Sequence, residues 1–188
     1  MRHKNLIMKT YIAMLRGINV SGHKIVKMEQ LRDCFTNLGF RNVKTYVQSG
    51  NVVFGTGKAS GLCEKIEKCI LREFGFPVPV LLKTKQELEQ IVQDNPFVEK
   101  PGIDPSKLHV TFLSKLAPKT ATASLEPLVT NAEQFHVSGQ EIFLYCPNGY
   151  GKTKLSNTAI ENKLGVAATT RNWKSVSALL SLAQQNSQ

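Results

Sequence analysis

No apolar run in the 188 residues approaches the ~18 needed to span a bilayer, so no transmembrane helix is expected. The basic start, Met1-Arg-His-Lys-Asn, has no long apolar core or small-residue cleavage site behind it, which argues against a signal peptide. Cysteine is scarce. Cys34, Cys63, Cys69 and Cys146 show no Cys-x-x-Cys spacing and no histidine at zinc-finger distance, so they read as buried, reduced thiols of a cytoplasmic protein. The four histidines do not assemble: His3 lies in the first residues, His109 and His136 fall in strand patterns, and His23 alone stands in a candidate loop. Neither a Gly-x-Ser-x-Gly elbow nor a Cys–His signature occurs, and no metal or cofactor is expected. Basic residues never run to five in a row, and the single tryptophan, Trp173, reads as a packing anchor.

What is present is an ordinary globular composition with a basic balance. Apolar residues make up 41% and charged residues 20%, enough for a real core. The net charge is +10. Residues 1–98 hold 15 Lys/Arg against 8 Asp/Glu, and residues 99–188 hold 9 against 6. Such an excess favours anionic partners, a phosphorylated small molecule or a nucleic acid.

The apolar spacing predicts one order of elements twice. Lys9–Leu15 reads as a central strand and Met28–Leu38 as a helix closed by Gly39. Val43–Gln48 and Asn51–Phe54 form a hairpin through Ser49-Gly50, followed by the helix Gly61–Phe74, the strand Val78–Lys83 and the helix Lys85–Asp94. Thr84 and Glu87 are placed to form a capping box on that last helix. Pro96, Pro101 and Pro105 mark a linker over 96–107. The order then begins again, with strand Leu108–Leu113, helix Ala121–Val129, strands Glu133–Val137 and Glu141–Cys146, helix Ser156–Leu164, strand Val166–Thr169 and helix Trp173–Gln184. Tyr46-Val-Gln-Ser-Gly-Asn-Val-Val-Phe54 aligns with Phe135-His-Val-Ser-Gly-Gln-Glu-Ile-Phe143. The expected fold is α+β, a tandem duplication of a ferredoxin-like unit with antiparallel sheets. It divides into an extension at 1–7, a subdomain at 8–95 and another at 108–188.

That plan locates candidate sites. The first and second strands of each half run parallel, so the loop after the first and the hairpin after the second share one end of the sheet. Arg16, Asn19, Gly22, His23 and Lys24 are thereby gathered beside Gln48, Ser49 and Asn51. A cation, several amides and glycines allowing close backbone approach suit a phosphate or carboxylate. These amides also suit plain loop capping. At the opposite end of the second half, Lys152 and Lys154 precede a helix beside Arg171 and Asn172, the latter a good N-cap. Cys146-Pro-Asn-Gly-Tyr-Gly-Lys-Thr153 nearly matches a phosphate-binding loop. Cys146 replaces its first glycine, however, and no aspartate-ended strand follows to hold magnesium, so a nucleotide triphosphatase is not expected. RNA binding on the sheet face is disfavoured too, because Asn51-Val-Val-Phe54 lacks the stacking aromatics.

Together, Tyr11-Ile-Ala-Met-Leu-Arg-Gly-Ile-Asn-Val20, Leu38-Gly-Phe40, Thr45-Tyr-Val-Gln-Ser-Gly-Asn-Val-Val-Phe54 and Thr169-Thr-Arg-Asn-Trp173 carry a family resemblance. From about Met8 to Leu182 the chain resembles a bacterial domain family of unknown function, the one numbered one-six-nine-seven. The resemblance implies a duplicated ferredoxin-like fold and no particular activity. Ser21 stands where that family usually has a second glycine. The leading expectation is a protein that binds an anionic ligand through Arg16–Asn19 and Gln48–Asn51. The alternatives are a small enzyme acting on a phosphorylated metabolite, which would lack an evident base, and a structural interaction module.

Overall fold

The computed structural model describes residues 8–58, 60–130 and 132–186; the stretch 1–7, read as an extension, lies outside them. The elements run β1 (Lys9–Leu15), α1 (Met28–Asn37), β2 (Arg41–Tyr46), β3 (Asn51–Thr56), α2 (Leu62–Phe74), β4 (Val80–Thr84) and α3 (Lys85–Gln93). The second series is β5 (Leu108–Leu113), α4 (Ala121–Leu125), β6 (Gln134–Ser138), β7 (Glu141–Tyr145), α5 (Asn157–Leu164), β8 (Ala168–Asn172) and α6 (Trp173–Gln185). Two four-stranded antiparallel sheets result, ordered β2-β3-β1-β4 and β6-β7-β5-β8, the α+β arrangement of a duplicated ferredoxin-like fold. By its contacts the chain divides into two compact units, one of residues up to Glu89 together with those from Ala178, the other Gln90–Ser177. Residues 96–107, read as a linker, belong to the second unit, and Phe97 within them is buried.

Each sheet places alternate residues under a helical layer, as a period-2 side-chain pattern requires. In the first unit Tyr11, Ala13 and Leu15 of β1 meet Val52 and Phe54 of β3 and Leu31, Phe35, Ile66 and Ile70 of α1 and α2. Phe54 lies 4.5 Å from the ring of Phe40 and 5.2 Å from that of Phe35. Burying such a ring contributes about 1.5–3 kcal/mol. In the second unit Leu113, Ile142, Leu144 and Ala168 meet Leu125, Ile160 and Leu164. The opposite faces bury apolar residues as well, Ile12, Met14 and Val53 in one sheet and Val110, Phe112 and Phe143 in the other, each beside one buried cation, Lys83 or Arg171. That is why the central strands lack alternation in sequence.

Pairing corrects several sequence readings. β2 ends at Tyr46, and the connection to β3 takes four residues, Val47–Gly50, whereas the second hairpin turns over Gly139 and Gln140 alone. Met14 pairs with Asn51 and Phe112 with Glu141, so Phe54 corresponds to Leu144 and not to Phe143. The Ser-Gly alignment is therefore off by one residue, and a slip of one moves a side chain to the other face. α4 stops at Leu125 and tightens into a 3-10 turn over Glu126–Leu128, because Pro127 lacks an N–H and its ring clashes with the carbonyl one turn back. β8 extends to Asn172, which moves Arg171 from a loop into a strand. Cys34 of α1 and Cys69 of α2 are joined as a disulfide, where reduced thiols were expected. Sequence could not pair them, since 35 residues separate two helices whose packing alone brings the sulfurs together.

Candidate functional site

The loop between β1 and α1 is folded by its own polar groups. Asn19 donates through Nδ2 to the Val26 carbonyl at 3.0 Å and to the Gln48 carbonyl at 2.8 Å, and its Oδ1 accepts from the Val26 N–H at 2.8 Å. One amide thus closes the base of the loop and ties it to the β2–β3 hairpin. A second tie is the 2.8 Å bond from the Leu15 N–H to the Gly50 carbonyl, which brings Gly50 against β1. A Cβ at Gly50 would stand 2.7 Å from Leu15 Cβ and from Ile18 Cδ1, and its φ is +74°, so only glycine fits.

Backbone strain collects in the same place. Among the described residues five that are not glycine have positive φ, and four of them are Asn19, Ser21, Lys24 and Val47. For a β-branched residue such as Val47, at +48°, this conformation costs roughly 1–2 kcal/mol and persists only where the surroundings dictate it. Val20, Ile25 and Val47 are also more than half exposed.

The named candidates separate into two kinds. Asn51 is fully buried, with Nδ2 donating to Ser49 Oγ at 2.7 Å and more weakly to the Tyr46 carbonyl at 3.4 Å, so Asn51 and Ser49 shape the hairpin. Asn19 likewise shapes the loop. Gln48, His23 and Lys24 have exposed side chains and Arg16 is half-buried at the loop entrance. Lys24 reaches the Pro77 carbonyl at 2.9 Å and lies 5.9 Å over the Phe76 ring, interactions that leave its charge without a carboxylate. Neither 9–28 nor 34–63, the loop and hairpin segments with their neighbours, contains an acidic residue; the early acids of the first half are Glu29 and Asp33 on α1. A hollow of about 340 Å³ beside Pro77 is lined by Glu64, Glu67 and Lys68; Lys68 pairs with Glu64 at 2.6 Å, which leaves a net negative lining that disfavours an anion.

In the second unit the loop before α5 does not act as a phosphate cradle. The N–H groups of Gly149, Lys152 and Thr153 bond to the carbonyls of Cys146, Gly149 and Tyr150 and so point into the loop itself. Cys146 is buried in the core, where loss of hydration pushes its thiol up to about 11 and keeps it protonated at neutral pH. Lys152 and Lys154 are exposed. Arg171 is buried on β8, donating from Nη1 to Thr169 Oγ1 at 2.7 Å and to the Thr170 carbonyl at 2.9 Å. Burial pulls its guanidinium down to about 10, still cationic at neutral pH. Asn172 accepts from the Ser175 N–H at 2.8 Å and caps α6. The strand registers add an internal symmetry: Lys83 stands opposite Ile12 and Arg171 opposite Val110, equivalent positions, and both cations are buried.

Sequence reading missed a polar cluster in this unit. Tyr150 Oη donates to Thr170 Oγ1 at 3.0 Å, and Thr170 Oγ1 donates to Asn157 Oδ1 at 2.7 Å. A hydroxyl has one proton, so Thr111 Oγ1, 2.7 Å from Thr170 Oγ1, must be the donor in that pair. His109 stacks on the Tyr150 ring at 4.9 Å, and its Nδ1 lies 3.2 Å from the Lys107 carbonyl. A carbonyl only accepts, which puts the proton on Nδ1 and leaves Nε2 as the basic atom of the neutral ring. Burial lowers the His109 pKa, outweighing that hydrogen bond. The signal in sequence was slight: a threonine facing a threonine across two strands that are 59 residues apart. Among the described residues no group of three or more His, Cys, Asp or Glu side chains could hold a metal ion, and no helix is long and apolar enough to cross a membrane.

The class this architecture defines is an α+β protein of two ferredoxin-like repeats. The chain belongs to the family described as "Protein of unknown function (DUF1697)", which matches residues 8–143. A conserved bacterial protein, SP0830 from Streptococcus pneumoniae, has a similar solved structure, with 25% identity and a TM-score of 0.75 over 94% of this chain and 99% of that one. An unknown protein from Galdieria sulphuraria aligns over 87% of this chain and 98% of its own at 10% identity, but with a TM-score of 0.27 it carries no argument. The comparison with curated proteins gives no match.

Proposed function

We propose that the chain binds an anionic ligand, a phosphorylated molecule or a nucleic-acid backbone, at the β1–α1 loop and the β2–β3 hairpin. The observation that carries this reading is the 2.8 Å bond from Asn19 Nδ2 to the Gln48 carbonyl, which joins two segments free of carboxylates. Around that joint stand Arg16, His23, Lys24 and Gln48, while Asn19 and Asn51 hold the frame and need not touch the ligand. The strained φ values support the reading, because such conformations collect at sites that recognise ligands. Lys152 and Lys154 are a further candidate, in the second unit.

Titration with inorganic triphosphate, followed through the amide resonances of Gly17, Gly22 and Gly50, tests the site. Charge-assisted bonds are worth about 1.5–3 kcal/mol, so Arg16→Gln and Lys24→Gln should each weaken binding by roughly tenfold or more. Wild-type affinity in both variants would sink the assignment.

A further inference from the structure

The anion site continues along an edge. β2 pairs with β3 alone, so its other side is an open strand edge of the first sheet. Arg41 and Lys44 stand on it, and neither side chain has a hydrogen-bond or ion-pair partner among the described residues. Opposition of Arg41 to Gly55 and of Lys9 to Thr56 sets Lys9 at the same end of the sheet as Arg41. Lys58, whose N–H bonds to Thr56 Oγ1, follows β3 at that end. At the other end the hairpin meets the loop that carries Lys24, and Lys27 follows just before α1. Residues 8–63 hold eight Lys/Arg against Glu29 and Asp33 alone, so most of the +10 charge arises in the first third of the chain.

We propose that this edge is a track for a nucleic-acid backbone and that the ligand of the loop site is a polynucleotide. This rests on the reading of the loop as an anion site. Its reason is length. A bulge between Arg41 and Lys44 sets the six residues of β2 opposite the five from Gly55 to Asn51, so the strand advances about 13 Å at ~3.3 Å per residue. That is roughly four nucleotides at the ~3.4 Å rise of B-form DNA. A single small phosphorylated metabolite cannot neutralise cations at both ends of that span. A backbone can. Among the described residues no aromatic is fully exposed and Phe54 is buried, so contacts to the phosphate backbone, and not base stacking, carry the binding.

Fluorescence anisotropy with labelled oligo(dT), oligo(U) and a short duplex, between about 50 and 200 mM salt, tests this directly. The three arms distinguish single strands from duplex. The triple variant Arg41→Gln/Lys44→Gln/Lys58→Gln should lose at least about tenfold in affinity at low salt, with the salt slope shallower by roughly 0.7 per removed cation on single strands. A triple variant of equal charge in the second unit, Lys115→Gln/Lys119→Gln/Lys163→Gln, should leave affinity and slope unchanged. Equal losses in both triples would mean that overall charge is responsible, and would overturn the track. So would wild-type slope in the edge variant, or a wild-type protein that binds triphosphate but no oligonucleotide; in that last case the loop site stands. Binding of neither probe overturns both readings.

Discussion

The imidazole of His109 is held by a carbonyl on one side and an aromatic ring on the other, and its burial has a consequence for stability. Its folded-state pKa lies below the ordinary 6.5, so just below pH 6.5 the unfolded chain takes up a proton that the folded chain resists. Stability present above that pH is therefore lost as pH falls through the window between 6.5 and the lower folded value. Thermal melting between pH 7.5 and 5 should show this fall, and His109→Phe, which keeps an aromatic partner for Tyr150, should flatten it. An identical pH slope in the variant would refute this account. At the same scale, the polar residues of the loop and hairpin were legible as a group, because residue types that turn chains also bind anions. Their division of labour was not. Asn19 and Asn51 are bound by backbone and side-chain partners that exist only once β2 and β3 are paired.

Elements were more legible than residues wherever a local signal fixed them. Thr84 and Glu87 form the box that their spacing predicts: Glu87 Oε2 accepts from the Thr84 N–H at 2.7 Å, and Thr84 Oγ1 accepts from the Glu87 N–H at 3.2 Å. Thr84→Ala should cost about 1 kcal/mol in urea denaturation, and Thr84→Ser should recover most of it. Failure of Ser to recover more than Ala would place the loss in packing. Strand ends were harder to read. Val47 and Gln48 continue the β pattern in sequence, yet they turn, because the register with β3 and the seat of Gly50 against Leu15 demand a four-residue connection.

For the molecule as a whole, the covalent state of the core is open to a simple measurement. With Cys34 and Cys69 bridged, alkylation of the unfolded but unreduced chain should label Cys63 and Cys146 alone, and prior reduction should expose all four cysteines. Four labels without reduction would contradict the bridge and restore the reduced-thiol reading. The sequence by itself determined the repeated element order, the antiparallel sheets that follow from it and the end of the first sheet where polar residues gather. Those depend on apolar spacing, glycine and proline, which act within a few residues. Only the tertiary structure decided the one-residue shift between the hairpins, the pairing of Cys34 with Cys69, the burial of Lys83 and Arg171 at matching positions and the His109–Tyr150–Thr170 cluster. Each of these depends on partners brought together by strand register or helix packing across long stretches of chain, and a local pattern carries no record of register.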